Sequence, residues 1–239
     1  VRNVNYSFEG RNYQLPINES NLGNAIHGFL ARKKFEISEE KYNDDSAEVS
    51  LIHNYTGDFP GYPFPFIFTL TYSLSSKGTF AVNFKCQNTG QTNMPFACGW
   101  HPYFKIANAD ISHLEINFSP TLKYISDAQM IPMAEESVSI PMPVRFSETT
   151  LDNVFKLKSQ KDHLTELSDR ESKISLFLKQ NSVEFPYLVV FAPNSENCVA
   201  IEPMTGNTDA FNTGDGLNVL CPNEEFTSLV EIWIDIAKI

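Results

Sequence analysis

Apolar residues recur at every second position through much of the chain. Phe66, Phe68, Leu70, Tyr72 and Leu74 alternate with smaller or polar neighbours, and Phe80, Val82, Phe84 and Cys86 repeat the rhythm. An extended backbone sends successive side chains to opposite sides, so each run predicts a strand with one buried face. The same reading applies to Ile174, Leu176 and Leu178, to Tyr187-Leu188-Val189-Val190-Phe191, to Cys198-Val199-Ala200-Ile201 and to Leu229-Val230-Glu231-Ile232-Trp233-Ile234. β-Branched and aromatic residues dominate these runs, as strands favour. Turn chemistry separates them: Ser75-Ser76-Lys77-Gly78 predicts a hairpin, Asn88-Thr89-Gly90 a turn, and Pro193-Asn194-Ser195-Glu196-Asn197 a loop between two later strands. Phe59-Pro60-Gly61-Tyr62-Pro63-Phe64-Pro65 predicts a fixed loop leading into a strand. Only the stretch 155–167 has a helix-like spacing. Many short strands with frequent turns predict an all-β fold, a large antiparallel sandwich or barrel. No repeat, low-complexity tract or linker divides the chain, so residues 1–239 are expected to form one domain.

Composition narrows the functions available. The chain has 239 residues, 42% of them hydrophobic, which suits one large core. A formal net charge of −11 repels phosphate backbones, and no basic stripe offsets it, so nucleic acid is not an expected partner. No segment approaches the roughly 20 apolar residues that cross a bilayer, and Val1-Arg2-Asn3-Val4-Asn5 lacks the apolar run of a secretion signal. The four cysteines, at positions 86, 98, 198 and 221, form no Cys-x-x-Cys pair. They are expected to be buried free thiols, with Cys86 and Cys198 inside apolar strands, which is compatible with a reducing compartment and points to the cytoplasm.

Four short motifs carry candidate chemistry. In Gly99-Trp100-His101-Pro102-Tyr103-Phe104 a histidine sits among three aromatic rings. Aromatic faces, Tyr103 among them, cover the apolar C–H patches of a sugar ring, and imidazole, with a reference pKa near ~6.5, gives or takes a proton at neutral pH. The plainer alternative is a core histidine at a strand end. In Gly23-Asn24-Ala25-Ile26-His27-Gly28-Phe29 the glycines allow backbone close to a ligand, although alone the motif could be an ordinary turn. Glu202 follows Val199-Ala200-Ile201 and precedes Pro203, which is expected to end the strand pairing there. A carboxylate at a strand end facing a pocket would be partly desolvated and raised in pKa, becoming a useful base; a lone one could equally decorate the surface. Asp152, in Thr150-Leu151-Asp152-Asn153-Val154-Phe155, suits sugar hydroxyls or a helix start.

Together, Asn-Ala-Ile-His-Gly, Met-Pro-Phe-Ala-Cys-Gly-Trp-His-Pro-Tyr-Phe, Leu-Asp-Asn-Val-Phe and Ile-Glu-Pro-Met-Thr resemble the aldose 1-epimerase, or galactose mutarotase, family, in the same order along the chain. The resemblance runs from the Tyr6-Ser7-Phe8-Glu9-Gly10 stretch to the last strand. It implies a β-supersandwich and interconversion of α and β anomers of a hexose through the open-chain aldehyde, with Glu202 as base and His101 as acid. It further implies that His27 bonds near the ring oxygen, that Asp152 holds sugar hydroxyls, and that Asp209 and Asn212 line the same mouth. Such a reaction moves no hydride and forms no covalent link to the protein, so no metal or other cofactor is expected. The expected partner is a monosaccharide, and the protein a monomer or homodimer. Family members carry an Asn-Arg pair ahead of this stretch, so the opening strands and a sugar-binding arginine are expected to precede it, with Arg2 the nearest arginine present. Thr-Asp-Ala-Phe-Asn after Glu202 leaves the particular aldose open.

Two other readings compete. A hexose-6-phosphate epimerase of the same fold would need cations converging on a dianion, and Arg32, Lys33 and Lys34 follow His27, though they also suit a solvated turn. A non-catalytic carbohydrate-binding module would keep the aromatic platform without needing the acid and base. The five histidines lack zinc-site spacing. If the enzyme reading holds, His101 and Glu202 open into one pocket with reactive atoms about a sugar ring apart.

Overall fold

The computed structural model describes residues 1–193 and 196–236. Among the described residues all pairing between strands is antiparallel. A nine-stranded sheet runs in the order Val144–Arg145, Leu114–Asn117, His163–Asp169, Ile174–Gln180, Glu225–Ile236, Phe80–Asn88, Phe66–Ser75, Ser46–Tyr55, Glu36–Tyr42. A six-stranded sheet runs Pro132–Ser137, Pro120–Ser126, Asp152–Leu157, Tyr187–Phe191, Val199–Met204, Tyr103–Phe104. Two ribbons complete the fold, Asn5–Phe8 with Arg11–Gln14 and Met94–Phe96 with Asn218–Leu220. The fold is a large antiparallel β-sandwich with little helix, as the period-two runs predict. Among the described residues no helix is long and apolar enough to cross a membrane.

The period-two runs become strands whose buried sides meet in one core. Phe66, Phe68, Val82, Phe84, Cys86 and Val230 of the nine-stranded sheet join Phe155, Leu188, Val190, Val199 and Ile201 of the six-stranded sheet. Each such side chain contributes roughly 1.5–3 kcal/mol when withdrawn from water. The expected hairpin at 75–78 is present: Gly78 donates its N–H to the Ser75 carbonyl at 2.9 Å and takes φ +83°, where a side chain would be strained. The 59–65 loop is fixed as its composition suggests. Gly61 lies so close to the 11–14 strand that a Cβ there would come within 2.0 Å of the Gln14 carbonyl oxygen. Three buried tyrosines place their hydroxyls on backbone carbonyls in and around that loop: Tyr6 on Gly61, Tyr55 on Tyr62, and Tyr62 on Pro95.

Three local expectations are corrected. The 155–167 stretch is not a helix: Asp152–Leu157 and His163–Asp169 are strands in different sheets. The inward residues Phe155 and Leu157, then His163, Thr165 and Leu167, keep period two on each side of a polar crossing at 158–162. The helical spacing arose from adding two strands together. Pro203 does not end the pairing, since it lies within Val199–Met204 opposite Leu188. Its carbonyl accepts from Trp100 N–H, so the donor it lacks faces the 98–102 segment and the neighbouring strand loses nothing. All four cysteines are free, but only Cys86 is buried; Cys98 and Cys198 are half-buried, and Cys221 is exposed. Cys198 precedes its strand, which begins at Val199. Of the loop expected at 193–197, Asn194 and Ser195 lie outside the described residues.

Candidate functional site

Alternation along Val199–Met204 sends Val199 and Ile201 into the core and turns Ala200, Glu202 and Met204 to the opposite face of the sheet. Register carries that face across its neighbours. Val189 stands opposite Glu202 and Tyr187 opposite Met204; one strand further, Asp152, Val154 and Lys156 oppose Phe191, Val189 and Tyr187. Beneath Met204 and Val189, the residues Tyr124, Val154 and Tyr187 form a small buried cluster separate from the main core.

Segment 98–102 lies along the outer edge of the Glu202 strand. Thr205 N–H donates to Cys98 O at 2.9 Å, Gly99 bridges to Met204, Trp100 N–H donates to Pro203 O at 3.0 Å, and Ile201 N–H donates to Pro102 O at 3.3 Å. Ala200 then pairs with Tyr103. This register sets His101 directly opposite Glu202. Because the flanking hydrogen bonds come from Trp100 and Ile201, the two are a non-hydrogen-bonded pair, the position where opposed side chains approach most closely. His101 Nε2 lies 3.2 Å from Glu202 Oε1. The gap is a direct contact, shorter than the sugar-ring separation expected from sequence.

Burial shapes the electrostatics. Glu202 is 8% exposed, and desolvation, then the charge of Asp152, pushes its carboxyl up to about 8. Desolvation, then the proximity of His27, lowers His101 below the ordinary imidazole range, although 35% of its side chain remains exposed. Both effects favour uncharged groups, whereas the contact between them favours imidazolium with carboxylate. The two arrangements differ only by one proton moved along the contact.

His27 reaches the pair from a turn in which it takes φ +60°, and its ring meets the His101 ring edge-to-face with centroids 5.4 Å apart. Tyr103 stacks against the His101 ring, with centroids 5.0 Å and planes 29° apart, and is 51% exposed. Asp152 lies in the row of Phe191, Ala200 and Tyr103, and burial raises its carboxyl. His27, His101, Tyr103, Asp152 and Glu202 therefore gather on one sheet face. Trp100 and Phe104, by contrast, alternate inward and pack against the main core, leaving Tyr103 as the aromatic of that motif beside His101.

Asp209 and Asn212 make their hydrogen bonds to the amino-terminal segment. Asp209 Oδ1 accepts from Arg2 N–H and from Asn212 Nδ2, each at 2.8 Å, and Asn212 Nδ2 also donates to Asn5 O at 3.0 Å. The Arg2 guanidinium is ion-paired with Asp127. Asn24 is buried and holds its own loop, accepting from Asn3 N–H and donating to Glu19 and to Gln129 O. Arg32, Lys33 and Lys34 are exposed.

Sequence reasoning missed Lys156, Tyr187 and Tyr124, which share the Glu202 face, and Asp215, which accepts hydrogen bonds from the two tyrosines and lies 3.9 Å from the lysine. The first two carried a signal, since Lys156 has the same parity as Asp152, and Tyr187 the same as Val189. Asp215 carried none, because a loop residue declares no face.

A family profile described as aldose 1-epimerase matches residues 1–233. The chain is similar to the uncharacterized protein YihR of Escherichia coli K12, with 26% identity over 227 residues, covering 92% of this chain and 71% of that protein. It superposes on a galactose mutarotase-like protein from Clostridium acetobutylicum with TM-score 0.89 at 22% identity, covering 99% of this chain and 77% of the other. A galactose 1-epimerase from Lactobacillus acidophilus NCFM aligns with TM-score 0.81 at 18% identity, covering 100% and 77%. At such identities these structures share the fold.

Proposed function

Because the chain belongs to the aldose 1-epimerase family, we propose that it interconverts the α and β anomers of a hexose by acid–base ring opening and closure, with His101 and Glu202 as the reacting pair. The observation carrying this reading is the 3.2 Å contact between His101 Nε2 and Glu202 Oε1, in which the histidine side chain remains 35% exposed. The anomeric hydroxyl oxygen and the ring oxygen are bonded to the same carbon. A base for one and an acid for the other must therefore stand side by side, as two cross-strand neighbours do.

Starting from carboxylate and imidazolium, Glu202 takes the proton of the anomeric hydroxyl while His101 gives its proton to the ring oxygen. The bond between the anomeric carbon and the ring oxygen breaks, leaving the open-chain aldehyde, a protonated Glu202 and a neutral His101. Rotation about the bond next to the carbonyl presents its other face. Closure then reverses both transfers: His101 takes the hydroxyl proton, and Glu202 protonates the carbonyl oxygen. Since the pair retains one proton throughout, the same cycle runs in both directions. His27, edge-on to His101, fixes the imidazole and reaches toward the ring oxygen; Asp152 accepts sugar hydroxyls; Tyr103 lies against an apolar patch of the ring.

Polarimetry on freshly dissolved α-hexoses tests the reading. Wild type is expected to accelerate mutarotation, and Glu202→Gln to abolish most of the acceleration while still binding sugar in calorimetry. Full activity in the Gln variant would falsify the assignment.

A further inference from the structure

The face that carries Glu202 does not end at it. Lys156 extends from the Asp152 strand across its neighbour, with Nζ 5.8 Å from the centroid of the Tyr187 ring. Tyr187 is a diagonal neighbour of Glu202, since Met204 opposes Tyr187 and Val189 opposes Glu202. Diagonal positions on one face lie about 7–8 Å apart, with their Cβ atoms somewhat closer, within the span of one sugar and its substituents. Lys156 Nζ also lies 3.9 Å from Asp215 Oδ1, an ion pair too long to be a hydrogen bond.

Asp215 is held by other groups. Tyr124 Oη donates to Oδ2 at 2.8 Å, Asn207 Nδ2 donates to Oδ2 at 3.0 Å, and Tyr187 Oη donates to Oδ1. Tyr187 and Tyr124 are buried, which fixes the carboxylate in place without help from the lysine. The Lys156 side chain is 40% exposed and that of Asp215 30%. A fixed acceptor and a loosely engaged donor thus stand together at a distance that a hydroxyl can bridge, taking a hydrogen bond from the ammonium and giving one to the carboxylate.

Charge decides what kind of group fits. Among the described strand residues on this face, Lys156 is the one lysine or arginine, while Asp152, Glu202 and Glu135, the last opposite Tyr124, supply carboxyls. Asp215 adds a carboxylate beside the lysine, in a chain of net charge −11. A dianionic substituent would gain one cation and meet a fixed anion next to it.

We propose that Lys156 and Asp215 form a second subsite that binds hydroxyl groups remote from the anomeric carbon, and that this subsite selects uncharged aldoses over phosphorylated ones. The proposal rests on the acid–base reading of His101 and Glu202.

Anomer-exchange NMR on a panel of free hexoses and their 6-phosphates tests it. Wild type should act on free hexoses and at least tenfold less efficiently on the 6-phosphates. Lys156→Met should raise KM for free hexoses roughly tenfold with little change in kcat, the signature of lost uniform binding. Asp215→Asn should narrow the discrimination against 6-phosphates by about tenfold. Lys179→Met, which removes a lysine from the other sheet, should leave both parameters unchanged. If Asp215→Asn fails to fold, Lys156→Met carries the test, since it removes no buried hydrogen bond. Equal turnover of free and phosphorylated hexoses by wild type overturns the proposal, as does an unchanged KM in Lys156→Met. Normal mutarotation insensitive to both substitutions removes the subsite alone, whereas a wild type inert on every hexose removes the acid–base reading beneath it.

Discussion

The two sheets each carry a histidine, one inside a strand and one on a segment lying along a sheet edge, and they treat it in opposite ways. His163, on the inner face of the nine-stranded sheet, is fully buried, and neither ring nitrogen has a protein hydrogen-bond partner among the described residues. Burial pushes it down to about 4. His101, on the edge of the six-stranded sheet, keeps a third of its side chain in contact with solvent and touches a buried carboxyl. Desolvation lowers both imidazoles. What separates them is the residue across the strand: Gln180 opposes His163, while Glu202 opposes His101. A buried histidine alone is neutral packing material; the same ring opposite a buried acid shares a proton that can be moved.

Breaking the functional side of this contrast has the largest expected effect. His101→Asn is expected to lower kcat/KM for mutarotation by about 10²–10⁴, the range for loss of a positioned acid, measured by polarimetry or anomer-exchange NMR. The pH profile sharpens the point. With Glu202 raised to about 8, the singly protonated pair loses its proton above that pH, so the rate should fall on an alkaline limb near pH 8. Glu202→Gln should remove that limb from whatever activity remains.

The structural side is tested by stability. His163 is held below its unfolded value near ~6.5, so its neutral form gives full stability above that pH. As pH falls toward about 4, the unfolded chain binds the proton first, and roughly 3 kcal/mol is lost across that window. Urea unfolding of wild type and His163→Leu at pH 7 and pH 4.5 should show a steeper loss in wild type. A parallel decline in the two proteins would assign the pH sensitivity elsewhere. The smallest effect belongs to Tyr103→Ala, which should raise KM for free hexoses by roughly two- to tenfold, the scale of ~0.5–1.5 kcal/mol for an aromatic contact. An unchanged KM would show that the ring serves only to cover His101.

Much of the fold was legible because period two survives in the strands that line the core, as at Phe66 to Leu74 and Phe80 to Cys86. It failed at 155–167, where a polar crossing only five residues long let two strands imitate one helix. Proline was misread at 203 because the side of the strand to which a missing donor points is a property of register, and register is not written in one strand. The site was legible in its residue types and through family resemblance, which drew His27, His101, Asp152 and Glu202 together. The direct contact of His101 with Glu202 was not legible, since it depends on segment 98–102 aligning with the neighbouring strand. The same alternation turned Trp100 toward the core and left Tyr103 with His101. Asp215 was invisible for a simpler reason: nothing in a loop's composition says which tyrosines it will meet.

On the proposed mechanism, His101 and Glu202 act as one acid–base unit across the edge of the six-stranded sheet. A double-mutant cycle on kcat/KM tests it most directly, comparing His101→Asn, Glu202→Gln and the combined variant on one free hexose. Groups that exchange a single shared proton lose their function together, so the combined variant should be little worse than the more damaged single variant. Losses that simply multiply would contradict the claim, because they would mean that the two side chains act independently.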